Sequence, residues 1–203
     1  MRPVNLGAGL AATAAALLLA SVANAAAPPA PPLSLIDARL IESLRTILKS
    51  ETVTVTLRAR RADIGEAEIV ALDRQWTKER SQQRQPLVAR IMASPLSSYL
   101  RSVEAASLGL IGKIIVFDRR GLNAGLSAVS SDYWQGDEDK WAKTVPVGPG
   151  AVFVDQPEWD PEHAVWLVQV DLAIPDPDGG EPLGGASFDV NLTELERRHA
   201  AGL

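Results

Sequence analysis

Ser131–Trp141 (SDYWQGDEDKW) is the stretch of this chain best equipped for chemistry. It sets Tyr133, Trp134 and Trp141 among the carboxylates Asp132, Asp137, Glu138 and Asp139. The chain holds five Trp, two Tyr and three Phe, so three aromatics within one short loop are a concentration. Rings interleaved with polar groups are what a small-ligand pocket needs, apolar walls with a few orienting contacts. The same tryptophans would serve equally well to cover a sheet. A cationic or amine ligand fits this composition: Trp134 and Trp141 would supply cation–π contact, and Asp132, Asp155 or Asp171 the counter-charge. Carboxylates spaced DxxxxDED also suit Ca²⁺, although EF-hand spacing is absent.

Groups for catalysis are sparse. His163 and His199 are the only imidazoles, there is no cysteine, and no HExxH, GxSxG, Walker or GxGxxG pattern occurs. Asp137 and Asp139 suit solvated or capping roles better than acid–base work. The expectation is therefore binding without catalysis, cofactor or metal.

The elements that must position these residues follow from the pattern of apolar side chains. Leu33, Ile36, Leu40, Leu44, Ile47 and Leu48 recur at three and four residues, which describes one buried helix face. Thr52–Leu57 (TVTVTL) alternates like a strand and is read as a continuation of the same helix. Ile64–Glu79 is a second helix, with Ile69, Leu72 and Trp76 on one stripe. Pro86 opens a third, and Ser94-Pro95 supplies cap and first residue of a fourth. After Gly109 the period drops to two. Gly112–Asp118, Leu122–Val129, Ala151–Val154, Ala164–Ile174 and Gly184–Val190 are predicted strands, with Asp132–Val145 as loop plus short helix. Asp176–Gly180 is a hairpin turn, and Leu192–His199 closes the chain as a helix. Helices followed by hairpin-linked strands predict an α+β domain with an antiparallel sheet. One face would pack under helices and the other would be free to line a pocket.

The chain's beginning predicts export. Arg2 precedes the uncharged stretch Leu6–Ala27, densest in apolar residues over Leu10–Ala20, which passes through Ala23-Asn24-Ala25, a small-x-small site. Residues 1–25 read as a signal peptide cleaved after Ala25, placing the mature protein in the periplasm or outside the cell. Residues 26–32 (AAPPAPP) form an extended spacer. No later window suits a bilayer, since Leu108–Phe117 is short and interrupted by Lys113. No membrane insertion is thus expected after cleavage. Without cysteine, stability must come from an ordinary buried core. The formal net charge of −5 is unevenly spread, with most carboxylates beyond residue 130. That acidic half would repel phosphates, so nucleic acid is not an expected partner. Arg58, Arg60 and Arg61 form a basic cluster, either a solvated helix face or an attractor for an anion.

The ordered run IIVFDRRGLNAGLSAVSSDYWQGDEDKW, FVDQPEWD, WLVQVDLAIPDPDGG and LGGASFDVNLTEL resembles the PDC-type sensor domains of the Cache superfamily, which are extracytoplasmic PAS-like ligand-binding modules. The resemblance covers about residues 114–195. It implies long N-terminal helices, here residues 33–110, followed over 111–203 by a PAS-like antiparallel sheet of five to six strands and a C-terminal helix. Ligand would sit between the sheet and the loop and helix that follow the first hairpin. Trp141 falls where family members carry a ligand-binding Trp, and Pro157-Glu158-Trp159-Asp160 sits near a second family motif. The position of the family's Arg holds Asp139, next to Lys140, and an Asp repels the ligand carboxylate that an Arg would clamp. The candidate ligand-binding residues are Asp132, Tyr133, Trp134, Asp139, Lys140, Trp141, Asp155, Gln169 and Asp171. The resemblance further implies a small-molecule ligand, a separate membrane receptor or sensor kinase as partner, and pairing of two copies through the long N-terminal helix. An interaction or structural protein of the periplasm is the alternative, with a hydrolase further behind.

Overall fold

The computed structural model describes residues 27–60 and 63–202. The predicted signal peptide, Ala26 of the spacer and Arg61 of the basic cluster lie outside the described residues. Residues 27–32 form neither helix nor strand. Pro31 is buried, and the Trp166 indole donates to the Pro28 carbonyl at 3.1 Å. No helix among the described residues is long and apolar enough to cross a membrane.

The first helix is not continuous, as the apolar spacing had suggested. After a 3-10 turn at Leu33–Leu35, α1 runs over Ala38–Leu48, with the Asp37 side chain accepting from the Leu40 amide at 2.8 Å. Ser50 then adopts extended backbone (φ −58°, ψ 136°) and α2 starts afresh at Glu51–Arg58. The Ser50 carbonyl still accepts from Val53 and Thr54, so the bend leaves the new first turn hydrogen-bonded. Side-chain exposure explains why TVTVTL is helical. Val53 is fully buried whereas Val55 is 57% exposed, although both would share one face of a strand. Val53 and Leu57, four residues apart, instead share a helix face with Leu44 and Leu48 in one core.

Helix α3 spans Glu66–Glu79, α4 Pro86–Met92 and α5 Pro95–Ala106, the last capped by Ser94 as expected from the Ser-Pro pair. Gly65 is the N-cap of α3, so Ile64 lies before the helix and not within it. Helix α4 lacks a side-chain cap of its own, and Glu79 substitutes for one. Its buried carboxylate accepts from the amides of Leu87 (2.7 Å) and Val88 (3.1 Å), while the Gln75 amide donates to its other oxygen. Replacing Glu79 with Ala strands two amides at a buried helix start and is expected to cost about 2 kcal/mol. Glu79→Gln, which keeps one acceptor oxygen, should cost less. Urea unfolding of the two variants measures both.

The sheet comprises β1 (Ile111–Asp118), β2 (Asn123–Leu126), β3 (Val152–Val154), β4 (Glu158–Asp160), β5 (Val165–Ile174) and β6 (Gly184–Asn191). The short α6 (Asp139–Ala142) lies between β2 and β3, and α7 (Leu192–Ala200) follows β6. Strand order is β2-β1-β6-β5-β3, with β4 also on β5, and every pairing is antiparallel. This is an α+β domain of N-terminal helices and a PAS-like antiparallel sheet. The strand bounds differ from the sequence reading by one to three residues. Ala164 has φ +54° and belongs to the turn before β5. β2 ends at Leu126, because the Ser127 hydroxyl then accepts from the Ile114 amide in place of a main-chain carbonyl. β4 was not foreseen, and its Trp159 pairs across to Trp166 with ring centroids 5.5 Å apart.

Both faces of the sheet are covered, which corrects the expectation of one free face. On the first, Ile114, Val116, Val168, Val170, Leu172, Phe188 and Val190 pack under α1, α2, α5 and α7. The Leu33–Leu48 stripe is part of this core and packs on the chain's own sheet. On the second face, Trp76, Leu87, Val88 and Ile91 of α3 and α4 cover Ile115, Phe117 and Leu126. Burying these side chains provides most of the driving force for folding. The rest of the second face, over β6 and β5, carries Gln169, Asp171, Ser187 and Asp189 and lies beneath α6.

Candidate functional site

The loop after β2 is fastened along the β1–β2 turn. Asp73 of α3 accepts from the amides of Tyr133 (2.8 Å) and Trp134 (3.1 Å). Leu122 and Trp134 form an isolated antiparallel bridge, and the Gln135 amide donates to the Gly121 carbonyl at 2.7 Å. Gly121 has φ +82°, and a Cβ there would come within 2.5 Å of the Gly136 nitrogen, so two glycines let the turn and the loop touch. Tyr133 is buried, stacks on Trp76 at 5.4 Å, and its hydroxyl accepts from Arg60 at 3.1 Å. Arg60 also bonds the buried Asp118 carboxylate at 2.9 Å. Asp132 closes the loop on itself, accepting from the Gln135 side chain. Asp139 is exposed and pairs with Lys143 one turn on at 2.8 Å.

A second group gathers on the polar half of the sheet. Ser187 of β6 and Phe153 of β3 flank Asp171 of β5 in register, and Lys143 sits 4.0 Å from the centroid of the Phe153 ring. Asp171 is fully buried. Gln169 donates to its Oδ2 at 2.9 Å, but Oδ1 has no hydrogen-bond partner. Ser187 Oγ, close by, likewise makes no hydrogen bond of standard geometry. Burial pushes the Asp171 carboxyl up to about 7, and nearby Asp155 adds to the rise. The Ser187 hydroxyl, the Gln169 amide and the Lys140 ammonium pull in the opposite direction and lose to desolvation. Lys140, largely buried, pairs with Glu138 at 3.0 Å. Asn123 Oδ1 and Gln135 Oε1 are further buried oxygens without partners.

The tryptophans of the loop look elsewhere. Trp134 donates to the Arg120 carbonyl at 2.6 Å and Trp141 to the Arg119 carbonyl at 3.0 Å, so both indoles grip the β1–β2 turn. Successive residues on a helix point about 100° apart, so Lys140 and Trp141 serve different sides of α6. Trp134 and Trp141 wall a cavity of about 500 Å³ together with Ile69, Arg119 and Arg120.

The nine candidate residues thus fall in separate places. Lys140, Asp155, Gln169 and Asp171 come together on the sheet. Trp134 and Trp141 meet at the turn. Tyr133 is a core residue, Asp132 a loop closure and Asp139 a surface ion pair. Among the described residues no cluster of His, Asp or Glu could hold a metal ion. His163, one of the two imidazoles, is exposed and bonds Asp160 at 2.7 Å, which raises its pKa.

Sequence reasoning missed Ser187, Asp73 and the Arg119-Arg120 pair. Ser187 had a signal: polar residues at 169, 171, 187 and 189 alternate within strands that are otherwise apolar.

No family model matches the sequence, and no curated protein matches it. Among solved structures, the chain is similar to the extracellular domain of the candidate histidine kinase vpHK1S-Z8 (TM-score 0.42, 12% identity), covering 78% of this chain and 52% of that one. It is also similar to the extracellular domain of the candidate histidine kinase rpHK1S-Z16 (0.41, 15%), with 80% and 59% covered. A third is the sensory domain of the Campylobacter jejuni chemoreceptor Tlp3 with isoleucine bound (0.36, 15%), with 81% and 64% covered. The chain spans between half and two thirds of their lengths. These three structures are extracellular or sensory domains.

Proposed function

We propose that this chain is an extracytoplasmic sensor or solute-binding module that takes a small polar ligand between α6 and the polar half of its sheet. Buried polar atoms are nearly always paired, because an unpaired one forfeits its hydration with no return. Asp171 Oδ1 and Ser187 Oγ strain that rule side by side: the hydroxyl is near enough to act on the carboxyl but not in standard hydrogen-bond geometry, and this observation carries the reading. A ligand amine or hydroxyl would satisfy both, and Lys140 would complement an anionic group on the same molecule. This revises the cationic-ligand expectation: the acceptors lie on the sheet, away from Trp134 and Trp141, so cation–π contact is not part of it. A membrane receptor or sensor kinase would read the bound state.

The test is titration calorimetry and thermal shift with amino acids, diamines, hydroxy acids and polyols. A ligand of this site should raise the melting temperature of the native chain, and Asp171→Asn and Ser187→Ala should each weaken it about tenfold or more. Binding that ignores both substitutions, or a panel without a binder, would refute the assignment.

A further inference from the structure

A second concavity at the β1–β2 turn shares no residue with the Asp171 cluster. Its walls are the indoles of Trp134 and Trp141, whose N–H groups are already satisfied by the carbonyls of Arg120 and Arg119 at 2.6 and 3.0 Å. The rings are therefore locked and have only apolar surface left to offer a ligand. Ile69 and Val70 of α3 add an aliphatic side. Its volume of about 500 Å³ lies within the range of small-molecule sites.

The charge of the rim decides what fits. Arg119 and Arg120 line the cavity with a single acidic residue, Glu66, so its lining carries a net positive charge. The nearby arginines are engaged: Arg58 with Asp176 and Asp178, and Arg60 with Asp118 and Tyr133. Arg119 donates its Nε to the Pro182 carbonyl at 2.7 Å, which leaves its terminal amino groups. Arg120 makes no side-chain hydrogen bond or ion pair among the described residues. We infer that this cavity binds a planar aromatic anion, its ring against Trp134 and Trp141 and its carboxylate on the Arg120 guanidinium. A planar fork opposite a carboxylate, beside rigid aromatic faces, selects charge and shape together. A cation of the same shape would meet the two arginines and be repelled.

The test is isothermal titration of the native chain at pH 7.5 with 2-naphthoate, 2-naphthylmethylamine and 2-naphthalenemethanol. Naphthoate should bind, and the amine and the alcohol should bind about tenfold more weakly or not at all. Arg120→Gln should weaken naphthoate about tenfold while leaving the melting temperature unchanged, since that side chain supports no other contact. Gly136→Ala should weaken it through shape alone, because a Cβ there would come within 2.3 Å of the Trp134 Nε1 and must displace the ring. Asp171→Asn should leave naphthoate binding intact, so failure of the sheet site and failure of this one are separable. Equal binding of the amine and naphthoate, no naphthoate binding at millimolar concentration, or indifference to Arg120→Gln would each overturn the inference.

Discussion

Asp171→Asn is expected to make the protein more stable at pH 8 and to change nothing at pH 4. The folded-state carboxyl titrates at about 7, well above the 3.8 of a free Asp, because burial disfavours its charge. A group raised in the folded state binds protons more tightly there than in the unfolded chain. Its stabilising contribution is therefore complete below pH 4 and is lost as pH rises through 7. Each tenfold difference in proton affinity between the folded and unfolded chain is about 1.4 kcal/mol, so the wild type should lose on the order of 4 kcal/mol between pH 4 and pH 8 from this residue alone. Asparagine is neutral throughout and its carbonyl can still accept from Gln169. The variant should therefore melt roughly 8 to 16 °C above the wild type at pH 8. Melting by circular dichroism in half-unit pH steps measures both profiles. A wild-type midpoint that stays level between pH 5 and pH 8 would show that Asp171 is not held neutral. Stability gained at the cost of ligand binding is the pattern expected where a group is kept for a contact it cannot make within its own fold.

Trp76→Ala is the substitution expected to do most damage. Its indole is fully buried, stacks on Tyr133 and donates to the Ser130 carbonyl at 3.1 Å. Removing it leaves a large cavity on the second face of the sheet and an unpaired carbonyl, at about 3 to 5 kcal/mol. A domain of this size has about 5 to 15 kcal/mol in total, so much of its stability would go. Trp76→Phe keeps the ring stack and should lose about half as much. Trp159→Ala on β4 is the control, since that side chain is only half-buried against Trp166 and should cost about 1 kcal/mol. The consequence extends to the loop. Tyr133 rests on Trp76, and Trp134 follows it, so near-ultraviolet circular dichroism should flatten in Trp76→Ala at temperatures where the helices persist. A loss below 1 kcal/mol would mean that the core rests elsewhere.

Much of the fold was legible because its signals are local. The apolar stripe of α1, the Ser94-Pro95 start of α5, the Asp176–Gly180 turn and the change of period after Gly109 each reside within a few consecutive residues. Errors came where a local pattern has two solutions. TVTVTL satisfies both a strand and a helix, and Ser50 can continue a helix or bend it; contact with Leu44 and Leu48 made the choice. β4 is three residues long and exists because β5 offers it a partner. By itself the sequence determined the order of helices and strands, the α+β class and the loop that carries the aromatics. Only the tertiary structure decided what that loop does. Asp73 and Trp76 hold it from far back in the chain, turning Tyr133 inward and Trp134 and Trp141 toward Arg119 and Arg120. Likewise, only the packing of α6 over β5 and β6 buries Asp171 deeply enough to shift its charge. Side-chain direction and desolvation are set by distant neighbours, and neighbours of that kind have no signature in residue spacing.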